Sequence, residues 1–275
     1  MYHYIIRPTL NMRKNPDDKS EMVSQALFSE EIRVIDKHEN WFNITTLVDN
    51  YKGWVKKDGV CSREAPCFTT QDSIVVVTNR LITHVYEQPD TVYGPLLTLP
   101  MESKLTATDD TKDNSRWISI ELPNFQKAYV QKGDVLTHPI NMNFQNISRF
   151  SQLFLGLPYT WGGRSSFGYD CSGFVQMLYR QMGILLPRDS KDQFVCAGFK
   201  ELDVSLLNQG DLIFFGQSRD KIQHVGMSLG SGFFIHTSAV TENQPFLRIS
   251  SITDVAWSGQ GYYSFAAGRT KTKDS

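Results

Sequence analysis

An internal repeat in the first half of the chain limits its folding options most. Trp41-Phe42-Asn43-Ile44, followed by Gly53-Trp54-Val55-Lys56-Lys57-Asp58-Gly59-Val60, is matched by Trp117-Ile118-Ser119-Ile120, followed by Ala128-Tyr129-Val130-Gln131-Lys132-Gly133-Asp134-Val135. A Pro-containing loop precedes each copy at a similar distance, Asn15-Pro16 and Gln88-Pro89. Self-similarity of this kind marks a fold built from repeated units. Both copies show short alternating apolar runs broken by turn signals, the pattern of small β-barrels. The middle of the second copy, Ser103 to Ser115, is polar and reads as loop.

The second half reads differently. After Asp170, Cys171 opens a stretch in which Phe174, Val175, Leu178, Tyr179 and Met182 fall on one helical face, and Gly183 is a natural stop. A thiol on the first turn of a helix sits at the positive end of the macrodipole, which favours the nucleophilic thiolate. Such a nucleophile needs a base, and the base needs a group to orient it. His224 to Leu229 alternates as a strand, Gly230-Ser231-Gly232 reads as a turn, and Phe233 to Ser238 reads as the return strand. In a simple hairpin Leu229 pairs with Phe233, so His236 lies opposite Gly226. His224 and His236 then become diagonal neighbours on one face, roughly 7–8 Å apart at the backbone. A bulge in the turn would change that register. Cys196 has no charged helper in sequence and reads as a small hydrophobe. His3, His38, His84 and His138 show no partner pattern and read as structural.

Six motifs in order, Pro158-Tyr159-Thr160-Trp161-Gly162-Gly163, Asp170-Cys171-Ser172-Gly173-Phe174, Leu186-Pro187-Arg188-Asp189-Ser190, Gly210-Asp211-Leu212-Ile213-Phe214-Phe215, His224-Val225-Gly226-Met227 and Phe234-Ile235-His236-Thr237-Ser238, resemble the NlpC/P60 family of cysteine peptidases. The resemblance covers about residues 146–270 and implies a papain-like core, with the Cys on a helix packed against an antiparallel sheet that carries the His. It implies hydrolysis of amide bonds in bacterial cell-wall peptides. Cys171 is then the nucleophile, His224 the general base and His236 the residue that orients His224. Tyr159 would supply an oxyanion donor or a substrate contact. Asp170 would cap the helix or also meet substrate, and Ser172 is placed with it in the substrate site.

The repeats resemble bacterial SH3 (SH3b) domains, the first copy from about Arg13 to Val60 more closely than the second. Two SH3b domains ahead of an NlpC/P60 domain is the arrangement of γ-D-glutamyl–L-diamino acid endopeptidases. In those enzymes the first SH3b domain helps to close one end of the site, which admits a peptide with a free N-terminal L-Ala. The bond cut joins the γ-carboxyl of D-Glu to meso-diaminopimelate or L-Lys. Asp189 and Ser190 match the family positions placed near the amine, although Arg188-Asp189-Ser190 also reads as a surface turn. Tyr51, Trp41, Glu30 and Glu31 are candidates for further contacts from the first barrel, with barrel core or solvated surface as the alternative.

The expected fold is therefore α+β: a papain-like catalytic domain preceded by two small SH3-like β-barrels, with domains at 1–62, 79–137 and 141–275 and a linker between the barrels. At 275 residues the chain is long enough for two or three domains. A formal net charge of −1 gives no case for nucleic acid or an anionic membrane as a partner. No metal-ligand cluster and no phosphate loop is visible, so no cofactor is expected; the expected partners are peptidoglycan-derived peptides, and the expected state is a monomer. The N-terminus lacks the pattern of a secretory signal, which predicts a cytoplasmic enzyme acting on wall fragments, with a periplasmic or secreted location as the alternative. Four cysteines are too few for a disulfide framework in a chain of this size; Cys61 and Cys67 read as reduced thiols or as a bridge. Two other functional readings fit the same residues: a thiol acyl-transfer enzyme (amidase or acyltransferase) on this scaffold, and a cell-wall-binding module.

Overall fold

The computed structural model describes residues 1–68, 74–108, 116–137, 141–239, 245–254, 257 and 263–272. His138, Thr69-Thr70 of the expected linker and the end of the tail lie outside the described residues. The chain divides into two compact units, Met1–Pro139 with Ser165–Phe167, and Ile140–Arg164 with Gly168–Ser275.

In the first unit the sequence repeat becomes a repeat of topology. The first sheet contains β1 (Tyr2–Ile5), β2 (Thr9–Arg13), β3 (Met22–Leu27), β4 (Glu31–His38), β5 (Trp41–Thr46), β6 (Lys52–Lys56) and β7 (Val60–Arg63), in the order β3-β2-β6-β5-β4-β1-β7. The second contains β8 (Ile74–Thr78), β9 (Ile82–Tyr86), β10 (Leu97–Pro100), β11 (Lys104–Ala107), β12 (Trp117–Glu121), β13 (Lys127–Gln131) and β14 (Val135–Leu136), in the order β10-β9-β13-β12-β11-β8-β14. Adding seven to each strand number converts one order into the other. The correspondence reaches single residues. β6 and β13 alternate identically, burying Gly53 and Val55 in one copy and Ala128 and Val130 in the other. Each strand then runs into a one-turn 3-10 helix, Lys57–Gly59 or Lys132–Asp134.

Two stretches differ from expectation. β8 begins inside the stretch read as linker, because Val76 is buried in the second core. Lys104–Ala107, read as loop, is a strand whose Leu105 and Ala107 are buried. The first core gathers Ile5, Met12, Ala26, Ile32, Ile44 and Val55. The second gathers Val85, Leu99, Ile118, Ile120 and Val130, together with Phe28 from the end of β3. The Arg63–Glu121 ion pair (2.8 Å) also joins the two sheets.

The second unit is α+β. It carries α1 (Phe144–Ser151), capped by the Asn143 side chain, then the two-residue strands β15 (Arg164–Ser165), whose Ser165 counts with the first unit, and β16 (Gly168–Tyr169), then α2 (Cys171–Gln181) and α3 (Ser190–Phe194). Its sheet contains β17 (Phe199–Leu202), β18 (Leu212–Ser218), β19 (Lys221–Gly230), β20 (Phe233–Thr237), β21 (Leu247–Ser251) and β22 (Phe265–Lys271), in the order β17-β22-β18-β19-β20-β21. Period-two alternation gives this sheet two apolar layers. Leu212, Phe214 and Val225 pack with Val175 and Tyr179 of α2. Ile213, Phe215 and Phe234 pack with Trp257 and Tyr263. The hairpin β19–β20 pairs Met227 with Ile235 and Ser228 with Phe234, the register that puts His236 opposite Gly226. A bulge at Leu229 is absorbed beside the turn, between Ser228 and Gly230, and does not reach the histidines.

Candidate active site

α2 starts at Cys171 because Asp170 stops the extended chain and caps the helix. Its Oδ1 accepts the Gly173 N–H at 2.7 Å, one of the N–H groups that a helix start leaves unpaired. The same carboxylate is held from the other side by Arg188, with Nη1 to Oδ1 at 3.0 Å and Nη2 to Oδ2 at 2.6 Å. Ser172 Oγ donates to Asp170 Oδ1 and accepts from Arg188 Nη1. Gly173 is required here, since a Cβ on it would stand 2.3 Å from the Gly163 carbonyl oxygen. The Trp161-Gly162-Gly163 turn therefore abuts the first turn of the helix.

Cys171 is partly exposed and its thiol is free. The backbone N–H groups of Ser172 and Val225 act on the sulfur, so Cys171 lies within electrostatic reach of the strand that carries His224. Burial pushes the thiol up to about 12, and Asp170 adds to the push; the two N–H groups and Arg188 act in the opposite direction. The gain expected from the helix terminus is thus outweighed by desolvation of the thiol.

His224 and His236 form a buried chain. His224 Nε2 lies 2.9 Å from His236 Nδ1, and His236 Nε2 lies 2.9 Å from Ser250 Oγ. The two rings meet edge to face, at 82° and 5.0 Å between centroids. Gly226 makes room between them: a Cβ there would come within 2.7 Å of Phe234 Cδ2 and 3.2 Å of His236 Cβ. Aromatic rings enclose the pair, with Trp257 centred 5.0 Å from His224 and 4.6 Å from His236, and Tyr263 stacked on His224. Burial lowers His224 to about 3, and the Arg248 guanidinium adds to this. Burial also holds His236 well below the usual imidazole range, assisted by His224 and Arg248. Both rings are therefore neutral at pH 7. One arrangement of protons satisfies the chain and leaves a base: His236 Nε2–H donates to Ser250, His224 Nε2–H donates to His236 Nδ1, and His224 Nδ1 keeps its lone pair.

The remaining residues expected at the site fall into two groups. The Tyr159 hydroxyl is pushed up by burial and by the nearby Cys171, Asp170 and Tyr263, so it lies within electrostatic reach of the sulfur. Its main-chain N–H is fixed to the Pro245 carbonyl. Asp170 and Ser172 reach the site through the nucleophile's own turn, where their side chains bond internally to Arg188. Asp189 and Ser190 open α3, where Asp189 occupies the N-cap position without a side-chain cap bond. Arg188 departs from the surface-turn reading, because its guanidinium is drawn inward and is 3% exposed. In the first barrel, Trp41 is core, with Lys56 Nζ 4.1 Å above its ring; Glu31 accepts from the Tyr4 hydroxyl, and Glu30 from the Leu27 N–H.

Arg188, Ser250, Arg248, Trp257 and Tyr263 complete the surroundings and were not expected from sequence. Only Arg188 carried a signal, as the charge inside the Leu186–Ser190 motif. Among the described residues, no group of three or more His, Cys, Asp or Glu is placed to hold a metal ion. No helix among them is long and apolar enough to cross a membrane.

A helix-borne thiol beside a strand-borne imidazole, with a second imidazole behind it, is the arrangement of a thiol-dependent hydrolase or transferase. Residues 156–261 match the family model of the NlpC/P60 family, and residues 12–60 match that of the bacterial dipeptidyl-peptidase Sh3 domain. The chain thus carries an NlpC/P60 domain and, in its first barrel, a domain of that Sh3 type; the match to a family model does not extend to the second barrel. Gamma-D-glutamyl-L-lysine dipeptidyl-peptidase of Bacillus cereus (strain ATCC 10987 / NRS 248) is 29% identical over 232 residues, covering 79% of this chain and 68% of that protein. Dipeptidyl-peptidase 6 of Lysinibacillus sphaericus is 26% identical over 244 residues, covering 85% of this chain and 86% of that protein. The crystal structure of an NlpC/P60 family protein from Bacillus cereus ATCC 10987 superposes with a TM-score of 0.83 at 22% identity, over 98% of this chain and 99% of that one, which shows a shared fold.

Proposed function

We propose that the protein is a cysteine peptidase that cuts the γ-D-glutamyl–L-diamino acid bond of cell-wall peptides carrying a free N-terminal L-Ala. The observation that carries this reading is the hydrogen-bonded chain His224–His236–Ser250, with the thiol of Cys171 on the first residue of α2. Proton transfer from Cys171 to His224 Nδ1 creates the thiolate and imidazolium together, with no net charge entering the buried site. The thiolate attacks the γ-carbonyl of D-Glu. The Cys171 N–H at the helix start and the Tyr159 hydroxyl are the donors assigned to the oxyanion. The imidazolium protonates the leaving amine of the diamino acid, and a water deprotonated by the same ring releases L-Ala-D-Glu from the acyl-enzyme.

The names of the relatives support the substrate: both are dipeptidyl-peptidases, and one is named for a γ-D-glutamyl-L-lysine bond. Release of a dipeptide requires recognition of a free N-terminal amine, for which Asp189, Ser190 and Tyr159 are the assigned groups, with Asp170 and Ser172 shaping the floor. The second barrel, whose strand order repeats that of the first, is assigned as a second SH3-like domain. The test is mass-spectrometric product analysis of L-Ala-γ-D-Glu-meso-diaminopimelate and its L-Lys counterpart, each with a free and an N-acetylated terminus. The expected result is L-Ala-D-Glu from the free-amine peptides only, with wild type and not with Cys171→Ala. Intact peptides, with Cys171 still open to alkylation, would overturn it in favour of another thiol acyl-transfer reaction.

A further inference from the structure

The Asp170 carboxylate is in an awkward position for thiol chemistry. It is buried, it adjoins the nucleophile, and a negative charge there opposes formation of a thiolate. A Ser or Asn could cap the helix about as well without that charge. What distinguishes Asp170 is its partner. The Arg188 guanidinium makes four bonds: to both carboxylate oxygens of Asp170, to Ser172 Oγ at 2.9 Å and to the Gly163 carbonyl at 3.3 Å. The Gly163 carbonyl also accepts the Asp170 N–H at 3.1 Å. All of these partners belong to the first turn of α2 or to the turn packed beneath it. Stability alone is a poor reason for such a pair, since a buried ion pair is often matched or bettered by apolar side chains of the same size.

We propose that Arg188 is a positioning residue for the nucleophile: it offsets the Asp170 charge, so that a carboxylate can fix the start of α2 at a reduced cost to the Cys171 thiolate. Asp170 and Arg188 act on the Cys171 thiol in opposite directions, the carboxylate raising and the guanidinium lowering it. The other ionisable groups of the site are Tyr159, which acts on the sulfur, and the cluster of His224, His236, Arg248 and Tyr263 that act on one another. Tyr159 also responds to both charges of the Asp170–Arg188 pair, so the readout is taken at Cys171 itself.

The experiment is a charge-cancellation series on the full chain: Arg188→Gln, Arg188→Lys, Asp170→Asn and the double variant Arg188→Gln/Asp170→Asn. The readout is the pH dependence of iodoacetamide alkylation at Cys171, located by peptide mapping so that Cys61, Cys67 and Cys196 are scored apart. Arg188→Gln is expected to raise the midpoint by about one pH unit or more, and Asp170→Asn to lower it. The double variant should return toward wild type, and Arg188→Lys should recover most of the shift. On a cleavable peptide, loss in Arg188→Gln should fall on kcat more than on KM. An unmoved midpoint in Arg188→Gln, or a double variant as far displaced as the single one, would overturn the proposal and leave Arg188 a structural residue. If Arg188→Gln does not fold, the matter is decided by Asp170→Asn, expected below wild type, against the double variant, expected near wild type; equal midpoints in the two would overturn the proposal. The kcat arm rests on the peptidase reading; the alkylation arm does not, so a predicted alkylation series with uncut peptide would refute that reading and leave this one standing.

Discussion

The two halves of the candidate active site solve the same problem by opposite means. At the start of α2 the surroundings are charged and each charge is answered: Asp170 by Arg188, Ser172 by both, the Gly173 N–H by Asp170. Around the histidines the surroundings are mostly apolar: Phe215, Phe234, Trp257 and Tyr263 enclose two neutral rings, the Arg248 guanidinium opposes their protonation, and the polar thread through them runs to Ser250. The first half fixes geometry and lets Arg188 offset part of the carboxylate's cost to the thiolate. The second keeps the base neutral, so that it can take the proton of the thiol. A nucleophile and a base placed together need not be tuned by one device.

The comparison breaks most severely if either half is removed. Cys171→Ala is expected to lower kcat by on the order of 10⁴-fold or more, since nothing replaces the thiolate. Peptide hydrolysis followed by mass spectrometry measures this. His236→Ala cuts the thread behind the base and should cost about 10²-fold in kcat with KM little changed. Ser250→Ala should cost less, and steady-state kinetics on the three variants ranks the thread by distance from the sulfur. Gly226→Ala tests the space between the rings. Its Cβ would overlap Phe234 and His236, with about 1–3 kcal/mol lost in denaturant unfolding, the usual cost of an overfilled core.

A last test probes the apolar half by pH. An unfolded imidazole takes up a proton near 6.5, whereas folded His224 does so only near 3. The unfolded state therefore binds more protons across that window, so stability should fall as pH drops from about 6.5 toward 3. Thermal melts should show this slope, and His224→Asn should flatten it.

What the sequence made legible was local. The cap at Asp170, the helix after Cys171 and the hairpin register between His224 and His236 each depend on residues within about a dozen positions, where periodicity and turn chemistry decide. The repeat was legible because the same short barrel is written twice, although the eye takes Lys104–Ala107 for loop when its neighbours are polar. The partners across the fold were not legible. Arg188 looks like a charge in a surface turn until α3 turns it under the helix. Trp257 and Tyr263 follow no period, and Ser250 reaches His236 only because β21 pairs with β20. The helix α3 itself is five residues long, too short for a periodic pattern.

The central claim is that Cys171 is the nucleophile and that His224 activates it. The most direct measurement is labelling with an L-Ala-γ-D-Glu analogue that carries an electrophilic ketone at the γ-position, with the site of attachment mapped by peptide sequencing. The account predicts attachment at Cys171, with Cys61, Cys67 and Cys196 unlabelled, and labelling slowed at least about 10²-fold in His224→Ala. Attachment at another cysteine, or an undiminished rate without His224, would contradict it.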